Sequence, residues 1–341
     1  MSRPERPAWF DALRVPPKLI PATATRPAPL LFDERHQPIA TPEAWAKRWD
    51  VLEKQWRGFL GTIPAPRAVG SIQVVEEDEP GTLLRQLVRY EAEPGLPVMG
   101  YLLRPRGRAP EGGRPGAVVL HSTVDYTIRQ PAGLEGPADK HIGVHLAERG
   151  YVVFCPMCFL WQYSRKGKIA EAVDWLRVRH PGVTGMAKML FDAVRAVDHL
   201  VAQPDVDRKR IAAIGHSLGA KEALYLAAFD TRVRATVSSE GGIGLTYSNW
   251  DAPWYLGEAI RRPGFPFDHG QVLSLIAPRA FLLIGGDSAD GAASWPYIEA
   301  GLPVWKLLNA PDALGLFNHG EGHAFPKIAQ TRSDEWLDWF L

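Results

Sequence analysis

The sequence predicts an α/β fold with a mostly parallel central sheet, helices on both faces and an antiparallel N-terminal edge. Two patterns along the chain predict it. Between residues 71 and 104, three short runs of alternating apolar and polar residues are separated by Glu-Pro-Gly turns, which is typical of antiparallel strands. From residue 117 onward, short β-branched runs alternate with helical stretches, and this alternation indicates a parallel sheet covered by helices.

The chain divides into a proline-rich arm, residues 1–40, and a single domain, residues 41–341. The arm lacks a steady periodicity and is expected to lie extended on the surface or to be partly disordered. Thr41 is the predicted N-cap of the first helix of the domain, with Pro42 at its first helical position. Antiparallel strands are predicted at 72–76, 83–90 and 98–103; parallel strands at 117–121, 151–155, 211–214, 233–238, 280–284 and 313–317; and later helices at 138–149, 185–202 and 333–341.

Composition argues against several classes of protein. The 341 residues carry a net charge of +1 and are 46% hydrophobic, which is ordinary for a soluble globular protein and gives no sign of binding to nucleic acid or to a membrane. The N-terminus lacks the apolar core of a signal peptide, and no apolar run reaches membrane-spanning length, so we expect a cytoplasmic protein. A homo-oligomer is compatible with the sequence, which does not decide the oligomeric state.

The two cysteines, Cys155 and Cys158, do not indicate a metal or redox site. A four-ligand zinc site needs a second ligand pair, and a thioredoxin-like motif begins a helix, whereas this pair ends a predicted strand. We therefore expect two buried, small apolar residues. The sequence has no phosphate-binding loop or dinucleotide fingerprint, so we expect neither a cofactor nor a metal.

The motif that carries chemistry is G-H-S-L-G at residues 215–219. An apolar strand at 211–214 precedes it, and good helix formers from 220 to 229 follow it. Strand, G-x-S-x-G and helix in this order are typical of a nucleophile elbow, in which the serine stands on a turn too sharp for bulky residues two positions before and after it. Ser217 is therefore the predicted nucleophile.

A serine hydroxyl needs a base to take its proton, and the base needs a carboxylate to hold its tautomer. In this arrangement the order along the chain is serine, acid, histidine, and three histidines follow Ser217, namely His269, His319 and His323. We predict His323 as the base, because its loop follows the last strand and has room to return over the sheet. His319 lies nearer the strand end and is the alternative base or a supporting group.

Three carboxylates are candidates for the acid, and the residue pattern alone leaves the choice open. Asp287 and Asp290 lie in the loop after strand 280–284, the usual position, but they also suit a turn. Glu240 directly follows strand 233–238 among small residues, where an unpaired carboxylate would be desolvated, although a solvated loop position is the alternative.

Backbone N–H groups should bind the oxyanion that forms when the serine attacks a carbonyl. The geometry of an elbow assigns them to Leu218 and to the loop after strand 117–121, at Ser122 and Thr123.

Aromatic residues cluster where two of the parallel strands end, at the edge where α/β sheets bind ligands. Trp161 lies beyond strand 151–155, and Trp250 and Trp254 lie in the stretch 246–255. These side chains are candidates to stack on a sugar or ring face of a substrate, and the alternative is that they anchor irregular loops.

Over residues 41–341 the chain resembles the α/β-hydrolase superfamily, and within it the serine esterases of the acetyl xylan esterase and dienelactone-hydrolase-like group. The stretches that carry the resemblance are Leu120-His-Ser-Thr, His145-Leu-Ala-Glu-Arg-Gly-Tyr-Val-Val, Gly215-His-Ser-Leu-Gly, Ser239-Glu-Gly-Gly and Gly322-His-Ala-Phe-Pro. This resemblance implies the α/β-hydrolase fold and ester hydrolysis without a cofactor.

The chain also resembles the glucuronoyl esterases in part. Their acid is a glutamate just after the strand that follows the elbow helix, and Glu240 stands at the matching place, so the resemblance favours it over Asp290 and Asp287. Their lysine one turn after the nucleophile reaches sugar hydroxyls, and Lys221 matches it; a solvent-facing lysine is the alternative. The chain departs from them at Leu218, where that family has an arginine, and this departure argues against a uronate substrate.

The sequence therefore predicts a serine carboxylic-ester hydrolase that acts through an acyl-enzyme. Its expected partner is a small-molecule ester, with a short acyl group on a carbohydrate or polyol. Acyl transfer or peptide cleavage by the same three residues is the enzymatic alternative. A non-catalytic binding module with this fold is the other alternative.

Overall fold

A computed structural model of the chain describes residues 5–65, 68–164 and 168–341. Within these ranges one sheet of nine strands forms the centre of the protein, in the order β1-β2-β3-β5-β4-β6-β7-β8-β9. The strands are β1 (Gln73–Asp78), β2 (Leu83–Glu93), β3 (Leu96–Pro105), β4 (Arg114–Leu120), β5 (Val152–Pro156), β6 (Val206–His216), β7 (Val233–Ser239), β8 (Ala280–Gly285) and β9 (Leu314–Asn318).

The sheet is antiparallel at one edge and parallel over the rest. Strands β1, β2 and β3 pair antiparallel, and β3 is also antiparallel to β5. From β5 through β4 and β6 to β9, every neighbouring pair is parallel. Helices lie on both sides of this sheet, so the predicted fold class, with its antiparallel N-terminal edge, is confirmed.

In the described ranges the α-helices are α1 (Pro42–Leu60), α2 (Ile142–Glu148), α3 (Phe159–Gln162), α4 (Ile169–Arg179), α5 (Gly185–Val201), α6 (Leu218–Phe229), α7 (His269–Ser274), α8 (Trp295–Leu307) and α9 (Lys327–Phe340). Thr41 caps α1 as predicted, since its side chain accepts the N–H of Ala44. Every residue of α6 is buried, because β6, β7, α5 and α7 all pack against it. None of the described helices is long and apolar enough to cross a membrane.

Two predicted helices differ from the observed ones in their bounds. The helix predicted at 138–149 is interrupted at His141, whose ψ of 46° is not helical, so a 3-10 turn (Ala138–Lys140) precedes α2. The last helix begins at Lys327 rather than at 333, directly after Pro326. In both cases the apolar pattern located the helix, and the local backbone decided where it starts.

The sequence did not predict α8, because glycine and proline interrupt its helical pattern. Gly301 and Pro303 lie in the helix interior, where both residues are unfavourable. Trp295 and Trp305 are buried beside them, and this packing outweighs the poor local propensity.

The described part of the N-terminal arm, residues 5–40, packs on the end of the domain. A 3-10 helix (Ala8–Arg14) buries Phe10 and Leu13. Leu13 lies directly against Gly315 of β9, at a distance that leaves no space for a side chain there. The arm therefore adds apolar side chains to the core; residues 1–4 of the predicted arm lie outside the described residues.

Cys155 and Cys158 are free and buried, as predicted. Burial raises the pKa of both thiols, so they remain protonated and behave as small apolar residues.

Candidate active site

Ser217 occupies the turn between β6 and α6. Its φ of 61° and ψ of −119° lie in a region that residues with a side chain rarely adopt, and such strain is typical of a nucleophile elbow. Both flanking positions must be glycine, because there is no room for a side chain at either. A Cβ on Gly215 would collide with the carbonyl of Gly219, and a Cβ on Gly219 would collide with the carbonyl of Leu120. The hydroxyl of Ser217 is half-buried and forms no hydrogen bond with any described residue.

His323 and Glu240 meet beside this turn. Nδ1 of His323 lies 3.2 Å from Oε2 of Glu240, so the carboxylate can accept the ring N–H and Nε2 is left to take a proton. The Glu240 side chain is fully buried, whereas 45% of the His323 side chain is exposed. The His323 ring centroid also lies 4.8 Å from that of His216, the residue before Ser217, which places the histidine next to the elbow.

Backbone N–H groups stabilise the buried carboxylate of Glu240. Gly286 donates to Oε1, and Ala289 donates to Oε2 at 2.7 Å. Burial opposes ionisation, but the hydrogen bonds from His323, Ala289 and Gly286 outweigh it and lower the pKa of Glu240. A negative charge is therefore present beside His323 at neutral pH.

The other two candidate acids lie away from the histidine. Asp290 is buried and accepts the backbone N–H groups of residues 242 and 243 at 2.7 and 2.8 Å. Asp287 accepts a hydrogen bond from Asn318 at 2.8 Å. Of the three carboxylates proposed from the sequence, Glu240 is the one that contacts His323.

The other two histidines after the elbow have different surroundings. His319 accepts the N–H of Glu321 through Nδ1, and burial lowers its pKa. His269 is fully buried, where Nδ1 contacts the carbonyl of Ile243 and Nε2 contacts the hydroxyl of Tyr225. Neither ring has a carboxylate within hydrogen-bonding distance among the described residues.

The predicted oxyanion groups lie on both sides of Ser217. Leu218 opens α6, so its N–H has no acceptor within the helix. In the loop after β4 the N–H of Ser122 is already donated to Gln130 at 3.3 Å. Thr123 is exposed and is therefore the better candidate of the two loop residues for binding the oxyanion. The sequence alone did not distinguish Ser122 from Thr123.

Comparison with known proteins agrees with this geometry. The model of the dienelactone hydrolase family matches residues 100–252, a range that contains Ser217 and Glu240. The protein YtaP of Bacillus subtilis (strain 168), which is named as a hydrolase, is 27% identical over 306 residues, covering 84% of this chain and 98% of YtaP. The 4-O-methyl-glucuronoyl methylesterase 1 of Sodiomyces alcalophilus is 25% identical over 164 residues, covering 40% of this chain and 33% of that protein. The glucuronoyl esterase from Solibacter usitatus shares the fold, with a TM-score of 0.72 at 18% identity, covering 93% of this chain and 99% of that one.

The chain is an ester-hydrolysing enzyme, and its fold and site are consistent with a serine esterase of the α/β-hydrolase type. The family match confirms the resemblance expected from the sequence, and with it the prediction of an ester-hydrolysing enzyme.

In the esterase, Lys221 and Trp250 are placed as anchors of the loop after Glu240. Lys221 is buried, donates to the carbonyl of Gly241 at 2.5 Å and lies 4.0 Å from the centroid of the Trp250 ring. Trp250 is fully buried and donates its Nε1–H to the carbonyl of Gly242 at 2.6 Å. The solvent-facing alternative for Lys221 is wrong, because the lysine is buried with one of its three donors on Gly241. Trp250 anchors its loop rather than stacking on a substrate, because it has no exposed face.

Trp161 and Trp254 are half-buried and border the loop that holds Thr123. Nε1 of Trp161 lies 3.5 Å from a carboxylate oxygen of Asp125 in that loop. The side chain of Thr123 lies near Tyr255, the neighbour of Trp254, and lowers the pKa of Tyr255 against the larger raising effect of burial. These two tryptophans therefore remain candidates for contact with a substrate.

The sequence analysis missed Lys140 and His216 as part of the site. Nζ of Lys140 lies 2.9 Å from Nε2 of His216. His216 occupies the first of the two variable positions of the G-x-S-x-G motif, so the motif gave no reason to select it. Lys140 lies in a 3-10 turn far from the motif in sequence.

The esterase also contains a buried carboxyl group, Glu222, inside α6. Burial raises its pKa to about 8, and hydrogen bonding with Cys158 only partly offsets this effect. Because the folded-state pKa is raised, Glu222 favours the fold below its unfolded pKa near 4.5, and that contribution is lost as the pH rises toward 8.

We expect Glu222→Gln, which keeps the neutral shape, to raise the melting temperature at pH 8 by about 4 °C and to change it little at pH 4.5. Scanning calorimetry at both pH values measures this difference, with exposed Glu258→Gln as the matched control. An equal shift at the two pH values would show that Glu222 is not protonated in the fold.

Proposed function

We propose that the esterase hydrolyses short acyl esters of a carbohydrate or another polyol through an acyl-enzyme on Ser217. The observation that carries the proposal is the hydrogen bond between His323 and the fully buried Glu240, next to a serine on a strained turn. Such a set provides a nucleophile, a base and a charge that supports the base.

In the proposed reaction, Oγ of Ser217 attacks the ester carbonyl carbon and Nε2 of His323 takes the hydroxyl proton. The N–H groups of Leu218 and Thr123 bind the negative oxygen of the tetrahedral intermediate. When this intermediate collapses, the C–O bond to the alcohol breaks, and His323 returns the proton to the leaving oxygen. Water then attacks the acyl-enzyme, with His323 again as the base. The bond between Oγ of Ser217 and the acyl carbon breaks, His323 returns the proton to Oγ, and the carboxylic acid is released.

Two observations support Glu240 as the group that orients the base. Its hydrogen bond to Nδ1 selects the tautomer in which Nε2 has a free lone pair. The lowered pKa of Glu240 keeps it charged when His323 gains a proton, so the ion pair stabilises the transition state.

Two observations support the proposed substrate class: the tryptophan side chains near Thr123 and the names of similar proteins. Trp161 and Trp254 present half-exposed rings near Thr123, and flat aromatic faces are suited to sugar rings. Relatives of the chain are named as glucuronoyl methylesterases, and a further one is named as a carbohydrate esterase. Leu218 stands where the glucuronoyl esterases have an arginine that helps to stabilise the oxyanion, and this departure leads us to place the ester bond on a sugar hydroxyl.

A series of p-nitrophenyl esters from acetate to octanoate tests the acyl side of the proposal. We expect kcat/KM to be highest for acetate and to fall by about 10-fold or more toward octanoate, because a site for short acyl groups must distort to admit longer chains. The position of the ester bond on the sugar is tested with an acetylated xylo-oligosaccharide and the methyl ester of glucuronic acid. We expect the acetylated oligosaccharide to be hydrolysed faster than the glucuronate methyl ester. Faster hydrolysis of the glucuronate ester, or a maximum at octanoate, would contradict the substrate assignment.

A further inference from the structure

Lys140 and His216 form a connected pair behind the proposed base. Nζ of Lys140 lies 2.9 Å from Nε2 of His216, and Nδ1 of His216 lies 3.1 Å from the hydroxyl of Ser239. His216 is buried, with 3% of its surface exposed, and its ring lies against that of His323 at 4.8 Å between centroids and 49° between planes. The pair therefore contacts the proposed base through ring packing of His216 on His323, and not through the ring nitrogens of His323.

The hydrogen bond from Lys140 determines the protonation state and the tautomer of the His216 ring. An ammonium group has three donors and no acceptor, so Nε2 of His216 must accept and must lack a proton. The ring proton then resides on Nδ1 and is donated to the hydroxyl of Ser239. His216 is consequently neutral and has one tautomer.

The charged groups around the pair favour the same state. Burial, Lys140, His323 and His319 all lower the pKa of His216, while the His323 backbone raises it. Burial lowers the pKa of Lys140 to about 8, against the smaller opposing influence of Asp139 and Glu240, so the lysine is charged at neutral pH. Among the described residues, no carboxylate lies within 4.0 Å of Nζ, and the accepting group of the lysine is the histidine ring.

We propose that Lys140 is a positioning residue: it holds His216 as a neutral ring of fixed tautomer, and that ring supports His323 in the orientation that proton transfer requires. This inference rests on the proposed role of His323 as the base. It assigns a function to the first variable position of the G-x-S-x-G motif, and to a lysine that lies 76 residues before it in the chain.

The neutral state of His216 matters when His323 gains a proton. A neutral ring beside an imidazolium provides a polarisable surface without charge repulsion, whereas a protonated neighbour at this distance would oppose the transfer. If Lys140 were absent, Nε2 of His216 would be open, and the ring could change tautomer or rotate away from Ser239. The support under His323 would then be lost, and a displaced base transfers protons more slowly.

The test compares Lys140→Met, Lys140→Gln and Lys140→Arg with the wild type. Methionine keeps the length of the side chain but has no donor, whereas glutamine and arginine retain an N–H donor. We expect Lys140→Met to lower kcat for p-nitrophenyl acetate by about 10-fold to 100-fold, with KM within about 2-fold of the wild type. Lys140→Arg should recover most of kcat, and exposed Lys209→Met serves as the matched control.

A spectroscopic measurement separates positioning from a general structural effect. Nitrogen-15 NMR of the histidine rings, assigned with His216→Asn, reports the tautomer directly. We expect the Nδ1–H form of His216 in the wild type and in Lys140→Arg, and a change to the Nε2–H form or to a mixture in Lys140→Met. Lys140→Gln has both a donor and an acceptor, so it should give a mixture of tautomers if the absence of an acceptor on the ammonium is the cause.

Two results would overturn the inference: an unchanged tautomer with unchanged kcat in Lys140→Met, or a rise in KM alone, which would make Lys140 a substrate contact. Labelling of Ser217 by a fluorophosphonate distinguishes these from failure of the proposed function. If the wild type is not labelled, the proposed function fails. If the wild type and Lys140→Met are labelled at the same rate, the function stands and the positioning role is rejected.

Discussion

Replacement of Ser217 by alanine is expected to lower kcat for p-nitrophenyl acetate by about 10⁴-fold to 10⁶-fold. The reason is that the Ser217 hydroxyl forms the covalent bond to the acyl carbon. Among the described residues, no other side chain on this strained turn can replace it as the nucleophile. KM should change much less, because the acyl and alcohol parts of the ester meet other side chains. Steady-state kinetics of both proteins at pH 8 measure the effect.

The matched control for this variant is Ser288→Ala, which removes an exposed hydroxyl from the loop near Glu240. It should retain wild-type kcat. A fluorophosphonate should label one site per wild-type chain and none in Ser217→Ala. Equal turnover by wild type and Ser217→Ala would make the elbow a structural relic and favour a binding module.

Glu240→Gln is expected to lower kcat by about 10²-fold to 10⁴-fold. Glutamine has the size of glutamate, but it carries no charge, and its amide can donate to Nδ1 of His323 and so select the wrong tautomer. In either orientation its NH₂ group would face a backbone N–H that now donates to the carboxylate, that of Ala289 at the Oε2 position or that of Gly286 at the Oε1 position. The kcat value and the melting temperature should both be measured, because a loss of stability alone would not lower kcat in the folded fraction.

Asp287→Asn is the matched control, since this carboxylate is exposed and contacts Asn318 rather than the histidine. Its kcat should stay within about 3-fold of the wild type, as expected for a surface substitution. Asp290→Asn should lower stability more than kcat per folded molecule, because Asp290 holds two backbone N–H groups of the loop. If Glu240→Gln kept near-full activity while Asp290→Asn lost it, the assignment of the acid would be wrong.

The parts of the site that follow local rules were predictable from the sequence. The elbow is one of them, because two glycines around a serine between a strand and a helix leave the chain little choice of conformation. The mostly parallel sheet also follows from alternating strands and helices, and its antiparallel edge from the alternating run before residue 105. The contact of His323 with Glu240 spans 83 residues, and it was reached through resemblance rather than from the residues alone.

The residues whose surroundings the sequence did not predict depend on packing between distant elements. Lys221 lies on a helix with no exposed face, and a helical pattern cannot show that both sides are covered. Trp250 lies in an irregular loop, where aromatic character is equally compatible with a ligand contact and with burial. The engagement of Ser122 with Gln130 is a side-chain contact across a loop, and no periodicity encodes it.

The central claim is that the ester passes its acyl group to Ser217, and trapping that intermediate tests it most directly. The esterase would be mixed with p-nitrophenyl acetate, quenched with acid during turnover, digested and examined by mass spectrometry. The account predicts one acetyl group on the peptide that contains Ser217, and none in Ser217→Ala. Turnover without acetylation of Ser217, or with acetylation of another residue, would contradict it.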